Sequence, residues 1–160
     1  MQKENTQKRD RRLSLLFLAL SVLWAAVIFI FSAENADTSS ELSGGIVRVV
    51  IDTLSLENEP DWLEFFIRKL AHFTEYFILG AFVLLAIVFG LRAREKSTYK
   101  GAFASVPICL FYASTDEFHQ GFVAGRSPQV RDVCIDTLGA ALAAGVICAV
   151  IYMAGKRKKG

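Results

Sequence analysis

The sequence predicts an all-α integral membrane protein, a bundle of four transmembrane helices with both termini in the cytoplasm. Of the 160 residues, 53% are hydrophobic, and these fall in four long blocks. The 21% of residues that are charged lie almost entirely between the blocks. A helix of about 20 apolar residues crosses the hydrocarbon layer of a bilayer. The strands of membrane β-barrels alternate in polarity over about ten residues, and these blocks do not alternate.

Four segments qualify as membrane spans, at residues 13–31, 70–91, 101–122 and 133–154. The first contains 19 residues without a charge. The third is apolar only as far as Thr115, which gives about 22 Å of helix and is too short to cross a bilayer comfortably. Including the segment DEFHQGF completes this span. Asp116 and Glu117 are then predicted to lie below the membrane surface.

Small residues in two of the spans indicate close contacts between helices. Gly139, Ala143, Ala144 and Gly145 share one face of the fourth span. Gly80 and Gly90 lie in the second span and suit the same kind of contact. Interfaces between membrane helices are enriched in small residues because these let the backbones approach.

The distribution of Lys and Arg predicts the orientation. Residues 1–12 carry five of them, residues 92–100 carry four and residues 156–159 carry four. Residues 32–71 carry three together with eight acids, and residues 118–132 carry two. Basic loops stay on the cytoplasmic side of a membrane. The predicted organisation is a basic cytoplasmic N-terminus (1–12), a membrane domain (13–154) and a basic cytoplasmic tail (155–160).

The first outer loop, residues 32–69, is long enough to need structure of its own. Its apolar residues recur at helical spacing, so we expect an amphipathic helix on the outer leaflet or dipping into it. Pro60 is well placed to begin the next helix. The apolar face of the amphipathic helix is predicted to consist of Leu42, Ile46, Val49, Val50 and Leu54.

Ionisable and polar side chains lie in the outer halves of three spans, all at a similar depth. A charged side chain at the centre of a membrane helix costs roughly 2.5–3.5 kcal/mol. Such groups must face one another or a polar cavity, and we predict an outward-facing ligand-binding pocket. A hydrogen-bonded network that only fixes helix packing is the alternative. The predicted pocket residues are Arg68, Lys69, His72, Glu75, Tyr76, Asp116, Glu117, His119, Gln120, Arg126, Arg131, Asp132 and Asp136.

Several chemistries are compatible with these residues. His72, Glu75, Asp116 and Glu117 are the candidates for general acid and base catalysis, although no nucleophile is evident. Arginines near Arg126 suit a bidentate phosphate clamp. Histidines with carboxylates are also ligands of some metal sites, but there is no HExxH motif and the residues come from two helices, so no metal ligand is predicted. The sequence identifies no cofactor.

Three segments of the chain resemble the VanZ family of bacterial membrane proteins. They are FSAENADTSSELSG, RKLAHFTEYFILG and DEFHQGFVAGRSPQVRDVCIDTLGA, which together extend from about residue 31 to residue 145. The family takes its name from a member linked to teicoplanin resistance. The resemblance implies a four-helix membrane protein of the plasma membrane with a role in the cell envelope. It marks most of the predicted pocket residues, together with Gly125 and Gly139, as motif positions and assigns them no chemical role.

The combined expectation is a cell-envelope factor that binds a lipid-linked or glycopeptide ligand and affects teicoplanin susceptibility. The alternative is an intramembrane hydrolase or transferase acting on a lipid-linked phosphate. A transporter is disfavoured because no inverted repeat is evident and the inner halves of the spans lack polar residues. A nucleic-acid partner is not expected, since a net charge of +2 split into small clusters makes no basic stripe.

Overall fold

The computed structural model describes residues 1–33, 36–54, 60–96 and 98–157. Every regular element in these ranges is an α-helix, which confirms the predicted all-α class. The helices are α1 (Gln2–Ser32), α2 (Ala36–Leu54), α3 (Asp61–Ala93), α4 (Tyr99–Gln120) and α5 (Val130–Arg157).

Helix α3 is the centre of the bundle, and α1 packs antiparallel along it. The Ser14 hydroxyl donates a hydrogen bond to the Ala86 carbonyl at 2.8 Å. The first half of α1 is thereby tied to the C-terminal half of α3. The Trp24 indole donates to the Glu75 carbonyl at 2.9 Å, nearer the start of α3. These two bonds fix both the direction and the register of α1.

Helix α5 runs parallel to α3, and α4 runs antiparallel to both. Ala144 of α5 packs with Leu84 and Val88 of α3, whereas Cys109 and Ala113 of α4 pack earlier along α3. The bundle therefore has two distinct ends. The terminal end carries residues 1–12, the α3–α4 connection and the C-terminal part of α5, and the far end carries Ser32, Pro60 and residues 121–129.

The close contact between α3 and α5 depends on two glycines. A Cβ atom on Gly139 would lie 2.3 Å from the Phe73 carbonyl oxygen, and one on Gly80 would lie 2.7 Å from the Ala140 Cα atom. No side chain fits at either position. Gly145, which the sequence placed on the same face, lies outside the contact, with nothing within 4 Å of its Cβ position.

The outside of the bundle is strongly apolar. Leu16, Val22 and Ile30 of α1 are 52%, 65% and 63% exposed, and patches this large mark a membrane or protein contact. Three helices in the described part of the chain are long and apolar enough to cross a membrane, namely Gln2–Ser32, Trp62–Ala93 and Val130–Arg157. These helices indicate that the chain is an integral membrane protein. Helix α4 is not among the three, and it carries two acidic residues near its C-terminal end.

The loop between the first two predicted spans contains the expected helix, α2. Among its described side chains, Val47 is fully buried, and it was not on the predicted apolar face. Ile46 and Val49, which were on that face, are 53% and 64% exposed. The predicted side chains of Leu42 and Leu54 lie outside the described residues. Helix α3 begins directly after Pro60, nine residues before the predicted span.

Candidate functional site

The predicted pocket residues meet at the far end of the bundle. They come from the first half of α3, the last turns of α4, the connection that follows and the first turns of α5. Ser32, at the end of α1, joins them. We call this set of residues the polar cluster, and it contains Ser32, Arg68, Lys69, His72, Glu75, Tyr76, Asp116, Glu117, His119, Gln120, Arg126, Arg131, Asp132 and Asp136.

Asp116 lies at the centre of the polar cluster. It is 2% exposed, and its Oδ2 atom accepts hydrogen bonds from the Ser32 hydroxyl at 2.7 Å and the Gln120 amide at 3.3 Å. The Gln120 amide also donates to Ser32 at 3.2 Å. These bonds join the end of α1 to the end of α4. A carboxylate so placed has two donors but no cation in direct contact among the described residues.

The second oxygen of Asp116 has no hydrogen-bond partner among the described residues, and neither does Oδ1 of Asp136. Asp136 is only 3% exposed and lies within electrostatic range of Asp116, Asp132 and Glu117. The Tyr76 hydroxyl lies near Asp116 and interacts with it, but the geometry of the contact is not that of a good hydrogen bond. Buried polar atoms normally have a partner, and leaving one without costs about 1–3 kcal/mol. Oδ1 of Asp136 is therefore suited to accept a hydrogen bond from a donor outside the described chain, whereas the Tyr76 hydroxyl lies beside Asp116.

Lys69 and Asp132 form an ion pair that joins α3 to α5. The ammonium group lies 2.5 Å from Oδ2 of Asp132, and the two side chains are 15% and 16% exposed. The ammonium also lies 5.3 Å from the centre of the Phe65 ring. Arg131 lies over the same ring at 5.0 Å, and its guanidinium is 3.8 Å from Oδ1 of Asp132.

His72 and Glu75 lie on the same face of α3, one turn apart. Nδ1 of His72 is 3.6 Å from Oε2 of Glu75, a separation that a small adjustment turns into a hydrogen bond. The charge of Arg126, in the connection after α4, acts on both side chains. Gly125 precedes it with a φ of 77°, which glycine adopts without strain. This turn sets the position of Arg126.

Two predicted residues have neighbours that account for them structurally. Oε1 of Glu117 accepts the backbone N–H of Gln129 at 2.6 Å, so Glu117 holds the connection between α4 and α5. The His119 ring packs against Phe29 of α1 in a tilted arrangement, with 4.3 Å between the ring centres. Neither contact involves the central carboxylates.

The sequence matches the VanZ/LLP1 family over residues 17–152. The chain belongs to the VanZ/LLP1 family. The matched range contains the whole polar cluster, and it confirms the resemblance that the sequence motifs indicated. Comparison with curated proteins and with solved structures found no significant match.

The charges of the cluster in this VanZ/LLP1 chain are arranged in two layers. Cations lie outermost, at the start of α3 and around the α4–α5 connection, and Asp132 lies among them, paired with Lys69. We call Arg68, Lys69, Arg126 and Arg131 the basic rim. Acids lie further along the helices towards the bundle interior; we call Glu75, Asp116 and Asp136 the acidic floor. Arg68 is held by Glu64, one turn earlier, at 2.7 Å. In the described part of the chain no three His, Cys, Asp or Glu side chains are grouped as a metal site.

Ser32 and Trp24 are the contacts that sequence reasoning missed. Ser32 follows the first apolar block directly, and a polar residue at that position normally marks only the end of a span. Trp24 lies within the block and donates to a backbone carbonyl, which no side-chain pattern reveals. Both residues belong to α1, whose own sequence has no ionisable group near the far end.

Proposed function

We propose that the chain is a multi-pass protein of a bacterial plasma membrane, in which α1, α3, α4 and α5 are the four spans. Two observations support this proposal: consecutive spans run in opposite directions, and the basic segments lie together at one end of the bundle. The termini and the α3–α4 connection, which hold most of the Lys and Arg, lie at the terminal end. By the positive-inside rule this end is cytoplasmic. The polar cluster then faces the outside of the cell.

We further propose that the polar cluster binds a lipid-linked ligand of the cell envelope without transforming it. The observation that carries this proposal is the buried Oδ1 atom of Asp136, which lacks a hydrogen-bond partner among the described residues and lies close to the carboxylate of Asp116. Both carboxylates lie beneath the basic rim. The rim suits a phosphate, and the floor suits hydroxyl or amino groups that donate hydrogen bonds. A polyprenyl-linked sugar phosphate carries both kinds of group on one molecule.

An apolar groove beside the cluster favours a lipid-linked ligand over a free glycopeptide. The groove has a volume of about 280 Å³ and is lined by α1, α3 and α4, including Val22, Val83 and Ile108. Tyr112 also lines it, and the Tyr112 ring centre lies 6.1 Å from that of Tyr76. A hydrocarbon chain in this groove would therefore lie next to the polar cluster.

The first test measures teicoplanin susceptibility in a sensitive Gram-positive host. Wild-type protein, Glu75→Gln and an empty vector are compared at matched membrane levels. Glu95→Gln is the control, since it makes the same substitution at an exposed carboxylate of the terminal end. We expect wild type and Glu95→Gln to protect the host and Glu75→Gln to lose protection. Absence of protection by wild type would detach this chain from the resistance role.

The second test measures binding directly. Purified protein in detergent is titrated with a polyprenyl-pyrophosphate-linked peptidoglycan precursor and, separately, with teicoplanin. We expect the precursor to bind and Asp136→Asn to weaken its binding at least tenfold, which corresponds to about 1.4 kcal/mol. The Glu95→Gln control should bind as wild type does. Binding of neither compound by the wild-type protein would refute the proposal.

The second candidate function is hydrolysis or group transfer on a lipid-linked phosphate. The observation that favours it is the His72–Glu75 pair at 3.6 Å with the charge of Arg126 acting on both. Such a pair suits an acid and base beside a phosphate. Purified protein should then release phosphate from a polyprenyl pyrophosphate, and His72→Ala, Glu75→Gln and Asp116→Asn should each abolish the release. Unchanged turnover in all three variants would exclude this function.

A further inference from the structure

A second cavity lies at the opposite end of the molecule, between the start of α1 and the end of α3. Its volume is about 540 Å³, and its lining includes Lys8, Arg11 and Ser14 from α1 with Gly90 and Arg94 from the end of α3. The polar cluster lies at the far end of the same helices and shares no residue with it. A ligand bound in this cavity would therefore be separate from any ligand of the polar cluster.

The charge of this cavity is predominantly positive. Three cations line it against one carboxylate, Glu4. Glu4 is already paired with Lys8 at 2.6 Å. Arg11 and Arg94 form no ion pair or hydrogen bond with the described residues. Two guanidinium groups thus border a space large enough for a small anion.

The neighbouring carboxylate, Glu95, is occupied elsewhere. Its Oε1 atom accepts from the Lys3 ammonium and from the Gln7 amide, each at 2.7 Å. The hydrogen bond and the charge of Lys3 hold the pKa of Glu95 below its ordinary value. Glu95 therefore stays ionised and bound to its own partners, and it leaves the two arginines unneutralised.

The cavity lies at the depth of lipid headgroups. The basic part of α1 ends at Arg12, and Leu15 and Leu16, one turn further on, are 58% and 52% exposed. The change from charge to exposed hydrocarbon marks the membrane surface. A phosphate in the cavity would have its acyl chains alongside these leucines. A soluble anion would gain nothing from them.

We propose that this cavity binds the phosphate of an anionic phospholipid from the leaflet at the terminal end. Arginine guanidinium groups bind phosphate oxygens in bidentate geometry, and basic pockets between membrane helices are suited to anionic headgroups. Gly90 lets α1 and α3 approach closely at the cavity, because a Cβ atom there would lie 3.0 Å from the Ser14 hydroxyl. The bound lipid would join the ends of α1 and α3.

The test uses full-length protein purified in detergent and titrated with three probes. These are phosphatidylglycerol, phosphatidylcholine and inorganic phosphate. Retained lipid is measured by native mass spectrometry, and the unfolding temperature is measured in parallel. The variant is Arg11→Gln/Arg94→Gln. The matched control is Lys156→Gln/Arg157→Gln, which removes the same charge from the end of α5, away from the cavity.

We expect wild type and control to retain phosphatidylglycerol in preference to phosphatidylcholine and to gain thermal stability from it. The Arg11→Gln/Arg94→Gln variant should lose about tenfold or more in affinity, since each cation near a membrane surface strengthens binding of anionic lipid severalfold. If that double variant does not fold, the single variants Arg11→Gln and Arg94→Gln are compared with Arg157→Gln.

Three outcomes would overturn the proposal. Equal losses in variant and control would mean that only the overall charge matters. Equal retention of the two lipids would mean that no anionic site exists. Stabilisation by inorganic phosphate equal to that by phosphatidylglycerol would make the ligand a free anion and not a lipid.

Discussion

The carboxylates at the far end have different sets of neighbours. Asp116 accepts two hydrogen bonds, Asp132 is paired with Lys69, and Asp136 has one oxygen without a partner among the described residues. In a low-dielectric interior these neighbours strongly affect the free energy of a carboxylate, because an unpaired charge loses its hydration without compensation. Substitution of the residues that contact these carboxylates should therefore change the free energy of unfolding.

The hydrogen bond from Ser32 to Asp116 should stabilise the fold. Ser32→Ala removes a donor from a buried carboxylate, and we expect a loss of about 1–3 kcal/mol in the free energy of unfolding. Ser21→Ala is the matched control on the same helix, because the Ser21 hydroxyl donates only to the Phe17 carbonyl of its own helix. Unfolding in detergent measures both variants. Equal effects would show that the Ser32 bond contributes nothing specific.

The ion pair between Lys69 and Asp132 should show strong coupling. Lys69→Met removes the nearer cation of Asp132 and leaves only Arg131, 3.8 Å from its other oxygen. We expect it to cost about 2–3 kcal/mol, less than the ~3–5 of a fully buried pair because both groups remain partly exposed. The double variant Lys69→Met/Asp132→Leu should recover much of this loss. A double-mutant cycle on the unfolding temperature checks it. Additive losses would mean that the two charges do not interact.

At the scale of whole helices, the position of the cluster depends on how closely α3 and α5 approach. Gly80 and Gly139 allow this approach, and α5 then presents Asp132 to Lys69. Helix α1 contributes to the site through the Ser32 side chain and through its backbone carbonyls. A hydrogen bond from the Tyr112 hydroxyl to the Ala25 carbonyl at 2.5 Å adds a link between α4 and α1. The geometry of the site is thus a consequence of helix packing.

Gly139→Ala should separate α3 from α5 and destabilise the protein. The added methyl group meets the Phe73 carbonyl at 2.3 Å, and overpacking of this kind costs about 1–3 kcal/mol. Gly145→Ala, on the same helix, has open space around it. It should be neutral or stabilising by up to about 1 kcal/mol, since alanine favours helix. In thermal unfolding, we therefore expect the unfolding temperature of Gly139→Ala to fall and that of Gly145→Ala to stay at the wild-type value or rise.

At the scale of the whole molecule, the two ends of the bundle differ in charge and in cavity. The far end combines a basic rim with an acidic floor, and the terminal end presents a mainly cationic cavity. The helices between them expose apolar side chains. This arrangement suits a protein whose two ends meet different leaflets of one membrane.

The proposed orientation predicts which residues are accessible from outside the cell. In a variant whose native cysteines, Cys109, Cys134 and Cys148, are replaced by serine, single cysteines are introduced as Asp52→Cys, Ser127→Cys or Glu95→Cys. A membrane-impermeant maleimide should label the first two on intact cells. The third should be labelled only after permeabilisation, because it lies at the terminal end. Labelling of all three on intact cells would contradict the four-span arrangement.

The sequence by itself determined which segments are apolar helices, how their charged ends alternate and where along each helix the ionisable residues lie. Hydrophobic blocks and loop charges carry that information directly, because the bilayer acts on each segment separately. It also determined the family, through the motifs around His72, Asp116 and Asp136.

Only the tertiary structure decided which of these residues meet. It assigned Ser32 and Gln120 to Asp116, Lys69 to Asp132, and Glu117 to the backbone of the α4–α5 connection. Depth follows from position along one helix, but a partner depends on the rotation and separation of two helices. The rotation and separation of two helices are fixed by contacts such as that of Gly139 with Phe73. Such contacts depend on both helices, so the sequence of one segment does not reveal them.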